Sequence, residues 1–366
     1  MKRKDIQGKM KKNKIALALI GTMLLGTIFT GCGKDKDNTS DASTISMNPA
    51  TTMEDAEKIQ IHSKEGYILS DFTGEWIDEK YENARALCIM INNISDAMPQ
   101  SGIQKADITF EFPVEGGITR YLCVFQDYSG LEKLGPVRSA RHYYVWMAYM
   151  LDAFYAHYGW SIHAEAELNN TGYENLNGLY LDGIMYYRDE SRYAPHNVYT
   201  NSDMIQAGID YMGYAPEHNY SYEKMFSFHY DDTDINNGTT ANKVSLSFSS
   251  YQNPWFDYNA EEKLYYRSQY GDKQIDDTTG EQLHYKNVLI LLVNYTELEG
   301  GLLDADLATS NSGYYISNGE YQSIIWKRVG PTMKLYTEDG NELKMNPGNS
   351  FIEMLPSERV DTIKFE

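Results

Sequence analysis

Apolar residues follow one rhythm in the first part of the chain and another after it. Residues 86–92 are an unbroken apolar run, the pattern of a strand covered on both faces. Strand-like runs follow at 108–112 and 119–125, with Pro113 ending the first and Glu115-Gly116-Gly117 turning the chain between them. After Gly135-Pro136 the period changes. Val145, Trp146, Tyr149, Ala153 and Ala156 recur every three or four residues, which predicts a helix over 139–157 stopped by Gly159. Asp152 and several tyrosines in it argue against a membrane span. Residues 164–215 read as loop, apart from a short helix over 202–212. From 244 onward the runs are short and strand-like, at 244–248, 264–267, 288–293, 323–329, 351–355 and 362–365. Asp339-Gly340-Asn341 predicts a hairpin joining 333–336 to 342–345. The expected fold is α+β: an α/β domain over 61–230, a polar connector over 231–243, and a mostly β domain over 244–366, a sandwich or small barrel.

The beginning of the chain follows neither rhythm. Seven basic residues and one acidic one precede an apolar stretch, 15–29, broken by Thr22 and Thr27. A basic start and a short apolar core make a secretory signal. At about 15 residues the core falls short of the roughly 20 that a spanning helix needs. The closing segment Phe29-Thr30-Gly31-Cys32 resembles a bacterial lipobox, departing from it at Phe29, where Leu is preferred. Residues 1–31 are therefore expected to be a lipoprotein signal peptide and Cys32 the acylated first residue of the mature chain. A single acyl chain binds a bilayer marginally; two or three, palmitate among them, hold firmly. Residues 32–60 are polar and read as a solvated tether. The expected location is the outer face of a bacterial plasma membrane.

Charge narrows the partners. The whole chain carries −20; without the signal segment it has 25 basic against 51 acidic residues, about −26. Such a surface repels nucleic acid, leaving the bilayer, a cell-wall polymer or an envelope protein as expected partners. Cys88 and Cys123 both lie in strand-like runs. They read as buried small hydrophobes in preference to a disulfide, although this compartment permits one. No Cys-x-x-Cys pattern marks a zinc site, and no cofactor is indicated.

Arginine carries the sharpest chemical signal. The chain has 10 Arg and 22 Lys, yet between 120 and 192 stand Arg120, Arg138, Arg141, Arg188 and Arg192 against Lys133 alone. The guanidinium fork grips carboxylate or phosphate with two parallel bonds, which an ammonium cannot do. Arg138 and Arg141 bracket the predicted start of the long helix, where a basic residue opposes the dipole and an anion relieves it. That anion could be internal, from Glu111 or Glu115, or it could be a ligand. His196 and Asn197, in a loop, are candidates to join the same site. His157 reads as a helix C-terminal residue satisfying the dipole.

At this point the chain resembles a known family. The segments ADITFEFPVEGGITRYL (106–122), GPVRSAR (135–141), APHNVYT (194–200), IIWKR (324–328) and MNPGNSF (345–351), with Met90-Ile91-Asn92-Asn93, resemble the YerB-like bacterial lipoproteins. The resemblance covers roughly 66–365. It implies a two-domain lipoprotein and no assigned activity, so it supplies no catalytic residues.

Other chemistries are weaker. Glu111 and Glu115 could pair for glycoside cleavage, with His157 or His196 as further acid–base candidates. Glu–Arg pairing is the plainer account. Gly159-Trp160-Ser161-Ile162-His163 misses the nucleophile elbow by one residue and follows a helix instead of a strand. Asp232, Asp234 and Asn236 alternate like the start of a calcium loop, but Gly238 comes one position late and Lys243 stands where the closing Glu belongs. His163, Glu165 and Glu167 alternate as strand ligands for zinc would, without a partner at a recognised spacing. Tyr143, Tyr144, Tyr186 and Tyr187 could offer a sugar-stacking surface or simply fill the core. Three readings stay open: a surface-anchored lipoprotein binding an anionic ligand, a cell-wall hydrolase, and a structural lipoprotein whose arginines hold its own fold.

Overall fold

A computed structural model describes residues 64–218 and 222–366. Cys32, the signal segment and the tether lie outside the described residues. Strands β1 (Leu87–Asn93), β2 (Ile108–Pro113) and β3 (Thr119–Phe125) come first. Helix α1 (His142–Met150), strand β4 (Phe154–His157), helix α2 (Ile162–Thr171), strand β5 (Asn175–Asn177) and helix α3 (Ser202–Met212) follow. The C-terminal part opens with β6 (Thr239–Thr240), β7 (Lys243–Ser245), β8 (Trp255–Asn259), β9 (Leu264–Gln269), β10 (Asp272–Lys273) and β11 (His284–Tyr285). It closes with β12 (Asn287–Val293), β13 (Asn311–Ser317), β14 (Glu320–Val329), β15 (Thr332–Thr337), β16 (Ser350–Pro356) and β17 (Lys364–Phe365).

The fold is α+β, and its strands form open sheets with no closed barrel. The main sheet has 11 strands in the order β6-β14-β13-β12-β16-β2-β3-β1-β4-β5, with β15 also paired to β14. Both parts of the chain contribute to it. They meet where β16 runs parallel to β2, in a register that sets Glu353 beside Glu111. A second sheet, β10-β9-β8-β7-β17 with β11 on β9, covers one face of the first. Helix α1 packs on the other.

Alternation assigns each strand residue to a face. Cys88, Met90, Leu122 and Val124 share the α1 face; Leu87, Ile89, Tyr121 and Cys123 share the face under the second sheet. All are buried, which explains why β1 reads as a continuous apolar run. The two cysteines are free and buried, and they point to opposite faces, so no bridge can join them. Burial pushes the Cys123 thiol up to about 12.

The long helix is corrected. It spans His142–Met150 and then breaks at Asp152, whose φ is 45°. The carboxylate of Asp152 meets His218 at 2.9 Å, and its carbonyl accepts a 3.1 Å bond from Arg85 Nε. The chain then enters the main sheet as β4, parallel to β1. Phe154–His157 is buried throughout, so its apolar positions fit either period, and the misreading follows from that. His163, Glu165 and Glu167 lie on α2, a helix, where alternate residues do not share a face. Ser161 caps this helix, accepting from Ala164 N at 3.2 Å, and is not a nucleophile elbow. Tyr143, Tyr144 and Tyr186 are core residues.

Candidate functional site

Three short segments bring the arginines together. The sheet turn after β2 presents Glu115, β3 presents Arg120 on the α1 face, and residues 138–141 lead into α1. Arg141 occupies the N-cap position of α1 and grips Glu115 with Nε at 2.9 Å and with Nη2. Arg120 Nη2 lies 3.6 Å from the same carboxylate, and its Nη1 donates to Ser139 O at 2.5 Å. Glu115 is thus the internal anion at the helix start, and one carboxylate serves two guanidiniums.

The remaining arginines have no carboxylate. Arg138 Nη1 donates to Pro195 O at 3.3 Å. Arg188 bonds Asn197 Oδ1 at 3.0 Å and Tyr158 OH at 3.3 Å. Arg192 donates to Ala97 O at 3.0 Å and Pro99 O at 2.7 Å. None of the three forms an ion pair with another described residue. The Nε groups of Arg120 and Arg138 are buried without a hydrogen-bond partner among the described residues. His196 sits among these groups, its Nδ1 accepting from Asn92 Nδ2 at 2.7 Å.

The charges bear on one another. Burial and the neighbouring Arg141 and Arg138 push the Arg120 guanidinium down to about 10, against the pull of Glu115. Burial and Arg141 also lower Arg138. His196 is lowered by burial, then by Arg138 and Arg192, with Asp96 opposing. Burial resists ionisation of Glu115, yet its bonds with Arg141 hold its carboxyl below the ordinary value.

The acid–base candidates do not assemble. Glu111 is fully buried on the opposite face of the main sheet and does not meet Glu115. It accepts from Asn93 Nδ2 at 2.9 Å, Thr119 Oγ1 at 2.5 Å and Arg267 Nη2 at 2.5 Å, and its full burial keeps substrate away. His157 lies on β4, not at a helix end. Its ring contacts Gly159 O at 2.8 Å and Asn175 Oδ1 at 3.1 Å, and burial pushes it down to about 4. The calcium reading is also corrected: Asp232 is met by Lys263 at 2.6 Å and Lys286 at 2.7 Å, and Asn318 Nδ2 bridges it to Asp234 at 2.8 and 3.3 Å. Among the described residues no three His, Cys, Asp or Glu side chains gather as a metal site would require.

Sequence reasoning missed a second charged group. Arg267, from β9, reaches across the sheet interface to Glu111 and lies 3.8 Å from Glu353 on β16, all three fully buried. The available signal was a charged residue inside an otherwise buried strand. The reasoning also missed a cavity beside α1, lined by Trp146, Tyr149, Tyr173, Glu167 and Arg328 among others, which contains none of the clustered arginines.

Residues 72–215 match the N-terminal domain, and residues 244–352 the C-terminal domain, of a family of proteins of unknown function, DUF3048. The chain is 30% identical over 291 residues to YerB of Bacillus subtilis (strain 168), named there as a candidate lipoprotein, covering 79% of this chain and 86% of the relative. The chain belongs to the DUF3048 family. A crystal structure of the Bacillus subtilis YerB protein shares the fold, with 28% identity and a TM-score of 0.74, over 82% of this chain and 99% of that one. The connector expected at 231–243 falls between the two DUF3048 domains, and in the fold it supplies β6 to the main sheet and leads directly into β7. Among the described residues no helix is long and apolar enough to cross a membrane.

Proposed function

We propose that this DUF3048 protein is a membrane-anchored lipoprotein, held outside the cell by acylated Cys32, that binds an anionic envelope component through its arginine cluster. The observation that carries the reading is a charge mismatch. Arg120, Arg138 and Arg141 act on one another, Arg138 and Arg192 act on His196, and within this group one carboxylate, Glu115, meets two guanidiniums. Structural ion pairs match their charges, because an unmatched buried cation is costly. An incoming phosphate or carboxylate beside the partly exposed Arg138 would relieve the repulsion that depresses Arg120 and Arg138.

Isothermal titration of the full-length protein in detergent tests this, with inorganic phosphate, citrate and a poly(glycerol phosphate) as titrants. Binding that weakens with salt, and about tenfold (~1.4 kcal/mol) in Arg138→Gln, is expected. Equal behaviour of wild type and Arg138→Gln toward all three titrants refutes it.

A further inference from the structure

Helix α1, helix α2, strand β14 and residues 304–308 border a half-open cavity of about 460 Å³, within the usual range for small-molecule sites. Its walls are aromatic: the Tyr149 and Tyr173 rings stand 5.6 Å apart with 64° between their planes, and Trp146 completes the lining. Three carboxylates and one guanidinium also face it. Two of the carboxylates are engaged. Asp304 meets His142 Nε2 at 2.8 Å, and Asp306 Oδ1 accepts the backbone N–H groups of Ala308 and Thr309 at 3.0 and 2.9 Å.

The other two charges have no ion-pair partner among the described residues. Glu167, from α2, and Arg328, from β14, line the same cavity, yet neither forms an ion pair with the other or with any other described residue. Arg328 has a 3.1 Å bond from Nε to Gly330 O, and partial burial lowers its pKa. An opposite pair sharing one apolar cavity without closing on itself offers two separated points of charge, positive on one wall and negative on another. Free guanidinium forks take carboxylates, and aromatic rings beside a carboxylate take ammonium groups.

We propose that this cavity binds a small zwitterion, a free amino acid or short peptide, with its carboxylate on Arg328 and its ammonium against Glu167 and the tyrosine rings. No residue of the arginine cluster takes part, so the proposal stands or falls separately from that reading.

The test is titration of the full-length protein in detergent with alanine, alanylalanine, trialanine and doubly capped N-acetyl-alanylalanine amide, followed by calorimetry and by tryptophan fluorescence, with Trp146→Phe assigning the signal. An uncapped probe binds, and capping weakens it at least about tenfold. Arg328→Gln and Glu167→Gln each reduce the preference for uncapped over capped probes, both with unchanged thermal midpoints. The length of the best uncapped probe separates amino acid from peptide. Equal binding of capped and uncapped probes, or no binding of any uncapped probe at ~10 mM, overturns the proposal.

Discussion

Replacing Glu353 with Gln should change how stability depends on pH. Glu353 is fully buried, no described residue donates a hydrogen bond to its carboxyl oxygens, and it lies beside Glu111 in the strand register. One guanidinium, Arg267, stands between the two, close to Glu111 and 3.8 Å from Glu353. A single cation cannot balance both carboxylates. Burial, then the charge on Glu111, raise the Glu353 pKa well above its ordinary value, with Arg267 opposing. The folded protein therefore keeps a proton that the unfolded chain releases above roughly pH 4.3. Where the folded state binds more protons, unfolding free energy falls as pH rises, by about 1.4 kcal/mol for each pH unit in that window. Below the unfolded value both states are protonated and the effect vanishes.

Glu353→Gln has nearly the same shape and no proton to lose. Urea unfolding of wild type and variant at half-unit steps from pH 4 to pH 8 isolates its contribution, because other groups appear in both curves. The wild type should lose stability relative to the variant from about pH 4.3 upward, with a slope approaching 1.4 kcal/mol per unit. Parallel curves across the range, or a wild type that gains on the variant as pH rises, refute a protonated Glu353.

Three further outcomes are expected. Arg267→Ala leaves buried Glu111 without its cation and should cost about 3–5 kcal/mol, read as a shifted urea midpoint with unchanged slope. Glu115→Gln removes the carboxylate that competes for Arg141 and Arg120; phosphate affinity should rise several-fold in calorimetry while stability falls by about 1–3 kcal/mol. Cys32→Ser should abolish incorporation of labelled palmitate and move the protein out of the membrane fraction.

Much of the fold is legible in the chain where a segment has one structural role. Residues 86–92 and 119–125 are buried on both faces and read as strands. The predicted helix over 202–212 matches Ser202–Met212, a helix with one apolar face and Asn201 as its cap, accepting from Met204 N at 2.9 Å. The helix over 139–157 fails because α1 and β4 are both buried nearly all round, which erases the contrast that separates a period of 3.6 from a period of 2. The expectation of separate domain cores could not anticipate that β16 would pair with β2, since a sheet contact between residues more than 200 apart leaves no mark on either segment. Site residues divide the same way. Arg120, Arg138, Arg141 and His196 do converge, because local enrichment in one residue type survives folding. Of the two carboxylates open as the helix-start anion, Glu111 meets Arg267 instead, because strand parity places it on the opposite face from Arg120.

That parity puts two arginine environments on the two faces of one sheet, and the contrast decides what each can do. Under the second sheet, Arg267 faces two carboxylates, so acid exceeds base and the excess is removed by keeping Glu353 protonated. This group is sealed, and it lies where strands from both parts of the chain meet. On the α1 face the imbalance has the opposite sign. A guanidinium cannot shed its proton near neutral pH as a carboxyl can gain one, so excess arginine charge has no internal remedy. It has to be met by solvent or by an anion. Arg188 is exposed enough for water to serve; Arg120 is sealed behind Glu115, and the partly exposed Arg138 is where an anion can approach. A purely structural role would leave Glu115 alone to answer the repulsion among Arg120, Arg138 and Arg141, and Glu115→Gln would then only destabilise. Tighter phosphate binding in that variant, at the expense of stability, is the combination that a ligand site produces and a sealed network does not.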